Sequence, residues 1–144
     1  WLFSCRVVGM DVDIHKAAGI IIQDRKVLSL RSKGGTMFLN PGGKLDPGES
    51  VEDALVRELF EELTIDVKKH NAELLDTYYA PAATQPDKKL RMDTFIIHEY
   101  DGTLAASNEI EELRWLDSTS DLTNVASLIA HTIIPTLKQK GLID

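Results

Sequence analysis

The sequence predicts an α+β domain, a mixed sheet held between helices in an α/β/α sandwich. Three observations carry this expectation. Strand-length apolar runs lie on both sides of one long helix-forming segment. Short polar or glycine-rich breaks separate those runs. A second helical stretch closes the chain. At 144 residues the chain has the size of one ordinary domain, long enough to bury a core without disulfides or metals as staples.

Each element has a local reason. Residues 17–22 and 26–31 are β-rich and flank Gln23-Asp24-Arg25, which reads as a hairpin around a short polar turn. Lys33-Gly34-Gly35 ends the second strand, and Met37-Phe38-Leu39 is a short apolar piece before the break at Pro41-Gly42-Gly43. Ser50 is a good N-cap with Asp53 three residues on, and strong helix formers run from there through Glu62. Residues 73–80 and 90–100 read as strands around a loop at 81–89. Leu113-Arg114-Trp115-Leu116 is a further short strand, and 121–139 a second helix that Pro135 kinks or ends early.

Composition narrows the class. The chain is 43% hydrophobic and 27% charged, in the globular range. Its formal net charge of −7 argues against gripping a nucleic-acid polymer, yet leaves room for a phosphorylated small molecule whose charge a divalent metal offsets. No apolar run reaches the roughly 20 residues of a membrane span. The only cysteine, Cys5, excludes an intrachain disulfide and fits a reducing, cytoplasmic setting. Residues 1–9 lack an initiating Met and the basic start of a signal peptide. They read as an N-terminal extension or expression remnant ahead of a domain over 10–144.

The central helix breaks the usual logic. On a helical wheel Val56, Leu59, Phe60 and Leu63 form one apolar side, the expected core face. Val51, Ala54 and Leu55 form another, which runs on into Glu58, Glu61 and Glu62. Carboxylates at i, i+3 and i+4 repel one another and stand at the helix end where the dipole disfavours anions. A surface-solvated cluster is the ordinary reading of such a string. A hard-cation site is the other, because Mg²⁺ takes one or two carboxylates together with water and substrate oxygens. The loop Asn40-Pro41-Gly42-Gly43-Lys44 leads into this helix; its glycines permit close backbone approach, and Lys44 offers a point charge to phosphate.

Loop and helix together resemble the Nudix family, whose box is G-x5-E-x7-R-E-U-x-E-E-x-G-U with U a bulky aliphatic residue. Gly43 opens it here, followed by Glu49, Arg57-Glu58-Leu59, Glu61-Glu62 and Ile65. Thr64 stands where the family usually has glycine, at the point where the helix ends. The resemblance implies a Mg²⁺-dependent hydrolase, with Mn²⁺ as a substitute, that cleaves a diphosphate linkage in a nucleoside diphosphate derivative. By that likeness Glu61 and Glu62 are metal ligands. Glu58 is a ligand or the base that activates water. A carbonyl of Gly42 or Gly43 completes the shell, and Glu49 and Arg57 orient the ligand helix. Glu109, just ahead of the strand around Trp115, is a candidate further metal-binding or base-like carboxylate, with Glu111 and Glu112 as alternatives.

The leaving group is less determined. Phe38-Leu39-Asn40-Pro41-Gly42-Gly43 looks like the MutT-type nucleoside triphosphate pyrophosphohydrolases, the preferred reading. Tyr79-Ala80-Pro81 places a proline 16 residues past the box, a spacing frequent in ADP-ribose pyrophosphatases. Candidate substrate contacts are Phe38, Asn40, Lys44, Tyr79, Lys88 and Arg91, with Tyr78 a further stacking candidate. The expected partner is a small nucleotide, without nucleic-acid polymer or membrane, and a homodimer is compatible. A non-catalytic nucleotide sensor on the same fold is the competing class, and an isomerase of that fold would need a pocket cysteine.

Overall fold

The computed structural model describes residues 12–144. The proposed extension 1–9, and with it Cys5, lies outside the described residues.

Two sheets stand between two helical layers. The first has strand order β4-β1-β6-β5, built from β1 (Ile14–Ile20), β4 (Gly42–Lys44), β5 (Ala72–Pro81) and β6 (Lys89–Ile97). Only β1 and β6 run parallel; the other pairs are antiparallel. The second sheet is β2 (Ile22–Gln23), β3 (Lys26–Ser32) and β7 (Ile110–Leu116), in the order β2-β3-β7. The helix α1 spans Val51–Leu63, and α2 spans Ile134–Gln139 behind a π-helical turn at Ile129–Ile133. No helix among the described residues is long and apolar enough to cross a membrane.

Alternation along the strands splits the apolar residues into two cores. Ala17, Leu28, Leu30 and Phe95 pack against Leu55, Leu59 and Leu63 of α1. Ile14, Ala18, Met92 and Leu116 pack on the other side against Ile129, Ile133 and Leu137. This is the α/β/α sandwich expected from the element order.

The hairpin is one residue tighter than the sequence suggests. Gln23 pairs with Lys26, and Asp24 and Arg25 both take positive φ, near 53° and 61°. That is the two-residue turn whose twist suits adjacent strands. Arg25 then clamps the chain end, donating to Asp144 Oδ1 at 2.6 Å and to the carbonyls of Gly141 and Ile143.

Three expectations need correction. First, the core face of α1 is the Ala54, Leu55, Leu59 and Leu63 side, all essentially without exposure, whereas Phe60 is 62% exposed and Val56 half-buried outside either core. The inward face centres on the arc of Leu55, Glu58 and Glu62, so these two carboxylates belong to it rather than to an opposite side, while Glu61 is exposed. Second, Gly42–Lys44 is strand rather than loop: Ala17 pairs with Gly43 and Ala18 with Gly42. Third, the final helix begins near residue 127, not 121. Asp121 instead turns the chain by accepting from Thr123 N and Oγ1, and Val125 bridges to Phe38. Pro135 does not end the helix. The π turn just before it, where Ile134 N–H reaches the carbonyl of Ile129, absorbs the irregularity that a missing N–H forces.

Candidate active site

The acidic end of α1 is positioned by how the helix stops. Ser50 Oγ caps its start, accepting from Asp53 N at 3.1 Å. At the other end four carbonyls need partners. Thr64 N bonds Phe60 O, the Asn108 amide bonds Glu61 O at 2.6 Å, Ser107 N bonds Glu62 O, and Ala105 N bonds Leu63 O. The segment 105–109 is thereby drawn across the helix end, which brings Glu109 beside the glutamates. Thr64 takes the left-handed conformation at φ 61°, and its hydroxyl donates to Thr103 O at 2.8 Å. The residue that departs from the family pattern thus adopts the backbone a glycine would have, with strain of about 1 kcal/mol.

Glu58, Glu61, Glu62 and Glu109 line one polar cavity of about 440 Å³ together with Ser32 and Asn108. Glu112, an alternative to Glu109, is taken by Arg31 at 3.2 Å, and Glu111 is exposed on β7.

Arg57 organises the near side. Its Nε and Nη2 donate to the two Glu49 oxygens at 2.8 and 2.9 Å, a bidentate pair. Its Nη1 reaches Glu58 at 2.9 Å and Glu61 at 3.3 Å, and Nη2 also donates to the Lys44 carbonyl. Hydrogen bonds from Arg57, and then from the Asp46 backbone, hold Glu49 down at about 2. Glu58 is pushed up by burial, with Arg57 opposing, and Glu49 and Glu58 in turn raise Arg57.

Glu62 is the most constrained of the set. Its Oε1 accepts from Gly42 N at 2.8 Å, and burial, reinforced by Glu58, pushes its carboxyl up to about 8. Close approach requires glycine at Gly42 and places Gly43 against a carboxylate. Gly42 has φ 135°, and a Cβ there would run into the Ala17 carbonyl; a Cβ on Gly43 would sit 2.5 Å from the Glu58 carboxyl. Backbone and carboxylates are therefore packed without a side chain between them.

Among the described residues no three His, Cys, Asp or Glu side chains converge as a ready-made metal cage. Glu58 turns to the Arg57 guanidinium, and Glu62 accepts a hydrogen bond from the Gly42 backbone N–H. The donor set is nonetheless all oxygen and strongly anionic. It fits a hard cation that keeps water and borrows substrate oxygens, rather than one enclosed by protein alone.

A second, larger cavity of about 600 Å³ is lined by Gly42 and Gly43 of β4 and shares Ser32 and Glu62 with the acidic one. Its wall is largely apolar, including Met37, Leu39, Leu90 and Met92. Of the sequence-derived substrate candidates, Asn40 and Tyr79 line it. Phe38 is 2% exposed and lies under the Arg114 guanidinium at 3.9 Å, in the core. Lys88 is in the turn after β5, outside the cavity lining. Arg91, between the cavity-lining Leu90 and Met92, projects to the opposite face and contacts Asp93 at 3.4 Å. Lys44 is exposed and enters the cluster through its carbonyl. Tyr78 packs against the α2-side core.

Lys16 is not among the candidates the sequence offers, because the strand expected there starts at Ala17. It lines the larger cavity, and burial lowers it, as does Lys44, while Glu62 and Glu58 oppose. The available signal is a lysine at period-2 spacing between Ile14 and Ala18, on the face those apolar residues bury.

Comparison with known proteins agrees with this arrangement. Residues 13–126 match the family model of the NUDIX domain. The chain is 36% identical over 96 residues to the 8-oxo-dGTP diphosphatase of Proteus vulgaris, covering 63% of this chain and 81% of that one. It is 33% identical over 102 residues to the ADP-ribose pyrophosphatase of Methanocaldococcus jannaschii, covering 69% of this chain and 59% of that one. The solution structure of the E. coli ORF135 protein superposes with a TM-score of 0.70 at 26% identity, covering 92% of this chain and 96% of that one. With the box residues on one helix end, the glycine strand against them and a family match across most of its length, this chain belongs to the Nudix hydrolase family.

Proposed function

We propose that this protein hydrolyses a nucleoside triphosphate, including oxidised or noncanonical ones, to the monophosphate and pyrophosphate with Mg²⁺ or Mn²⁺. The observation that carries the reading is a pair of cavities that meet at Ser32 and Glu62, one acidic and one largely apolar. A nucleotide has the matching halves, a phosphate chain and a flat, largely apolar base. In this reading Glu61 and Glu62 are metal ligands, Glu58 a ligand or the base for the attacking water, Glu109 a further carboxylate, and a Gly42 or Gly43 carbonyl a backbone ligand. The bound metal would offset the charge that develops on the phosphate oxygens. Arg57 holds Glu49 and Glu58 in place. Lys16 adds positive charge where the phosphates meet the larger cavity, and Asn40 and Tyr79 contact the nucleoside.

ADP-ribose is the second reading. Pro81 and Tyr79 on the cavity wall favour it, as does the relative of that name. A panel of nucleoside triphosphates, 8-oxo-dGTP and ADP-ribose, read by chromatography of the products (monophosphate and pyrophosphate from a triphosphate, AMP and ribose 5-phosphate from ADP-ribose), separates the two. Turnover of triphosphates with pyrophosphate release supports the first. Turnover of ADP-ribose alone replaces it with the second, and full activity in excess EDTA refutes the metal-dependent mechanism.

A further inference from the structure

The larger cavity holds one polar group that the fold does not use. Asn40 is 8% exposed, and neither its Nδ2 nor its Oδ1 has a hydrogen-bond partner within the protein. A buried amide in that state is destabilising, and such groups are few in folded proteins. Asparagine in a loop before proline commonly bonds nearby backbone. Here the side chain makes no such bond and lines the cavity instead.

Its position narrows the ligand group. Asn40 lies two residues before Gly42, whose N–H bonds Glu62. The amide lines the larger cavity among the apolar Met37, Leu39, Leu90 and Met92, and is not in the lining of the acidic cavity. On the nucleotide reading that apolar wall takes the base, and the phosphates lie toward the glutamates.

A primary amide presents one donor beside one acceptor. Both are satisfied together only by an edge of opposite order, an N–H next to an acceptor. Adenine has such an edge at N6 and N7. Guanine offers two acceptors at N7 and O6, although its N1 and O6 form a mixed edge. Unsubstituted purine has acceptors only.

We propose that Asn40 selects the nucleobase, its amide taking an edge that sets a donor beside an acceptor and discriminating against edges of acceptors alone. This rests on the nucleotide reading given above.

The test compares kcat/KM for the triphosphates of adenosine, guanosine, inosine and 8-oxo-deoxyguanosine with that of purine riboside triphosphate. Wild type and Asn40→Leu are both measured with Mg²⁺. In wild type the unsubstituted purine falls roughly 10- to 100-fold below the best base, the range for a good paired contact. In Asn40→Leu that gap closes, because all bases then meet an apolar wall. Melting of the ligand-free variant stays level or rises, since two unpaired buried groups are gone. If Asn40→Leu does not fold, Asn40→Ala carries the same comparison. A gap of equal size in wild type and variant, or no gap in wild type, overturns the proposal. Absence of turnover on every nucleotide removes the nucleotide reading itself, a result distinct from turnover without base discrimination.

Discussion

Replacing Glu62 by Gln isolates the electrostatic cost of the acidic end. Glutamine keeps the size of the side chain and an oxygen to accept from Gly42 N, the bond that is 2.8 Å long in the wild type. It cannot ionise. Burial raises the Glu62 carboxyl from 4.5 to about 8, so the folded state binds the proton more tightly than the unfolded chain does. Its stabilising effect is fully present below about 4.5 and is lost as pH rises through about 8. At about 1.4 kcal/mol per unit, the shift sets a ceiling of about 5 kcal/mol on that loss. In metal-free protein with EDTA, urea melts at pH 5, 7 and 9 should show wild type losing a few kcal/mol that Glu62→Gln does not lose. Saturating Mg²⁺ should restore wild type at pH 9, since binding to the native state stabilises it, and should do little for the variant. Parallel stability curves for the two proteins across this range would refute the reasoning.

The corrected helix face makes a paired prediction: Leu59→Ala should cost about 2–5 kcal/mol in a denaturant melt, whereas Phe60→Ala should stay within about 0.5 kcal/mol. At the helix end, Thr64→Gly trades about 1 kcal/mol of backbone strain for the bond to Thr103, so its melting should barely move. Thr64→Ala loses the bond without the relief and should be destabilised by about 1 kcal/mol in the same assay. Arg57→Lys should leave the fold intact but reduce kcat about 10- to 100-fold, because an ammonium cannot hold both oxygens of Glu49 and also reach Glu58. An unchanged kcat for that variant would show that Arg57 does not position the glutamates.

Much of the site was legible because it is local. The span from Gly43 to Ile65 is continuous in sequence, and its helix is capped by Ser50 as the residue type suggests. What was not legible depends on pairing between distant segments. Gly42–Lys44 becomes strand only because β1 lies beside it, and no glycine-rich triplet announces that partner. The inward face of α1 was misassigned for a physical reason. Glu58 and Glu62 occupy core-facing positions, so ranking faces by apolar content moved the apparent core toward Val56 and Phe60. The second helix starts late because Asp121 and the Phe38–Val125 bridge give the backbone other partners first. Lys16 needed the cavity to exist before its burial had meaning, whereas Asn40 is a candidate already from the loop that precedes the helix.

The three-residue strand β4 has a consequence for kinetics. Gly42 lines the larger cavity while its N–H holds Glu62, and Glu62 lines both cavities, so the two share one carboxylate fixed to one peptide unit. At Gly42 the Ala17 backbone leaves no room for a side chain that would cushion a shift. Under the proposed function, a base that seats badly would displace the reacting end with it, and catalysis is steeply sensitive to displacements of about 1 Å. Discrimination between nucleotides should then be felt as slow turnover of the wrong one, even when it binds as tightly as the right one.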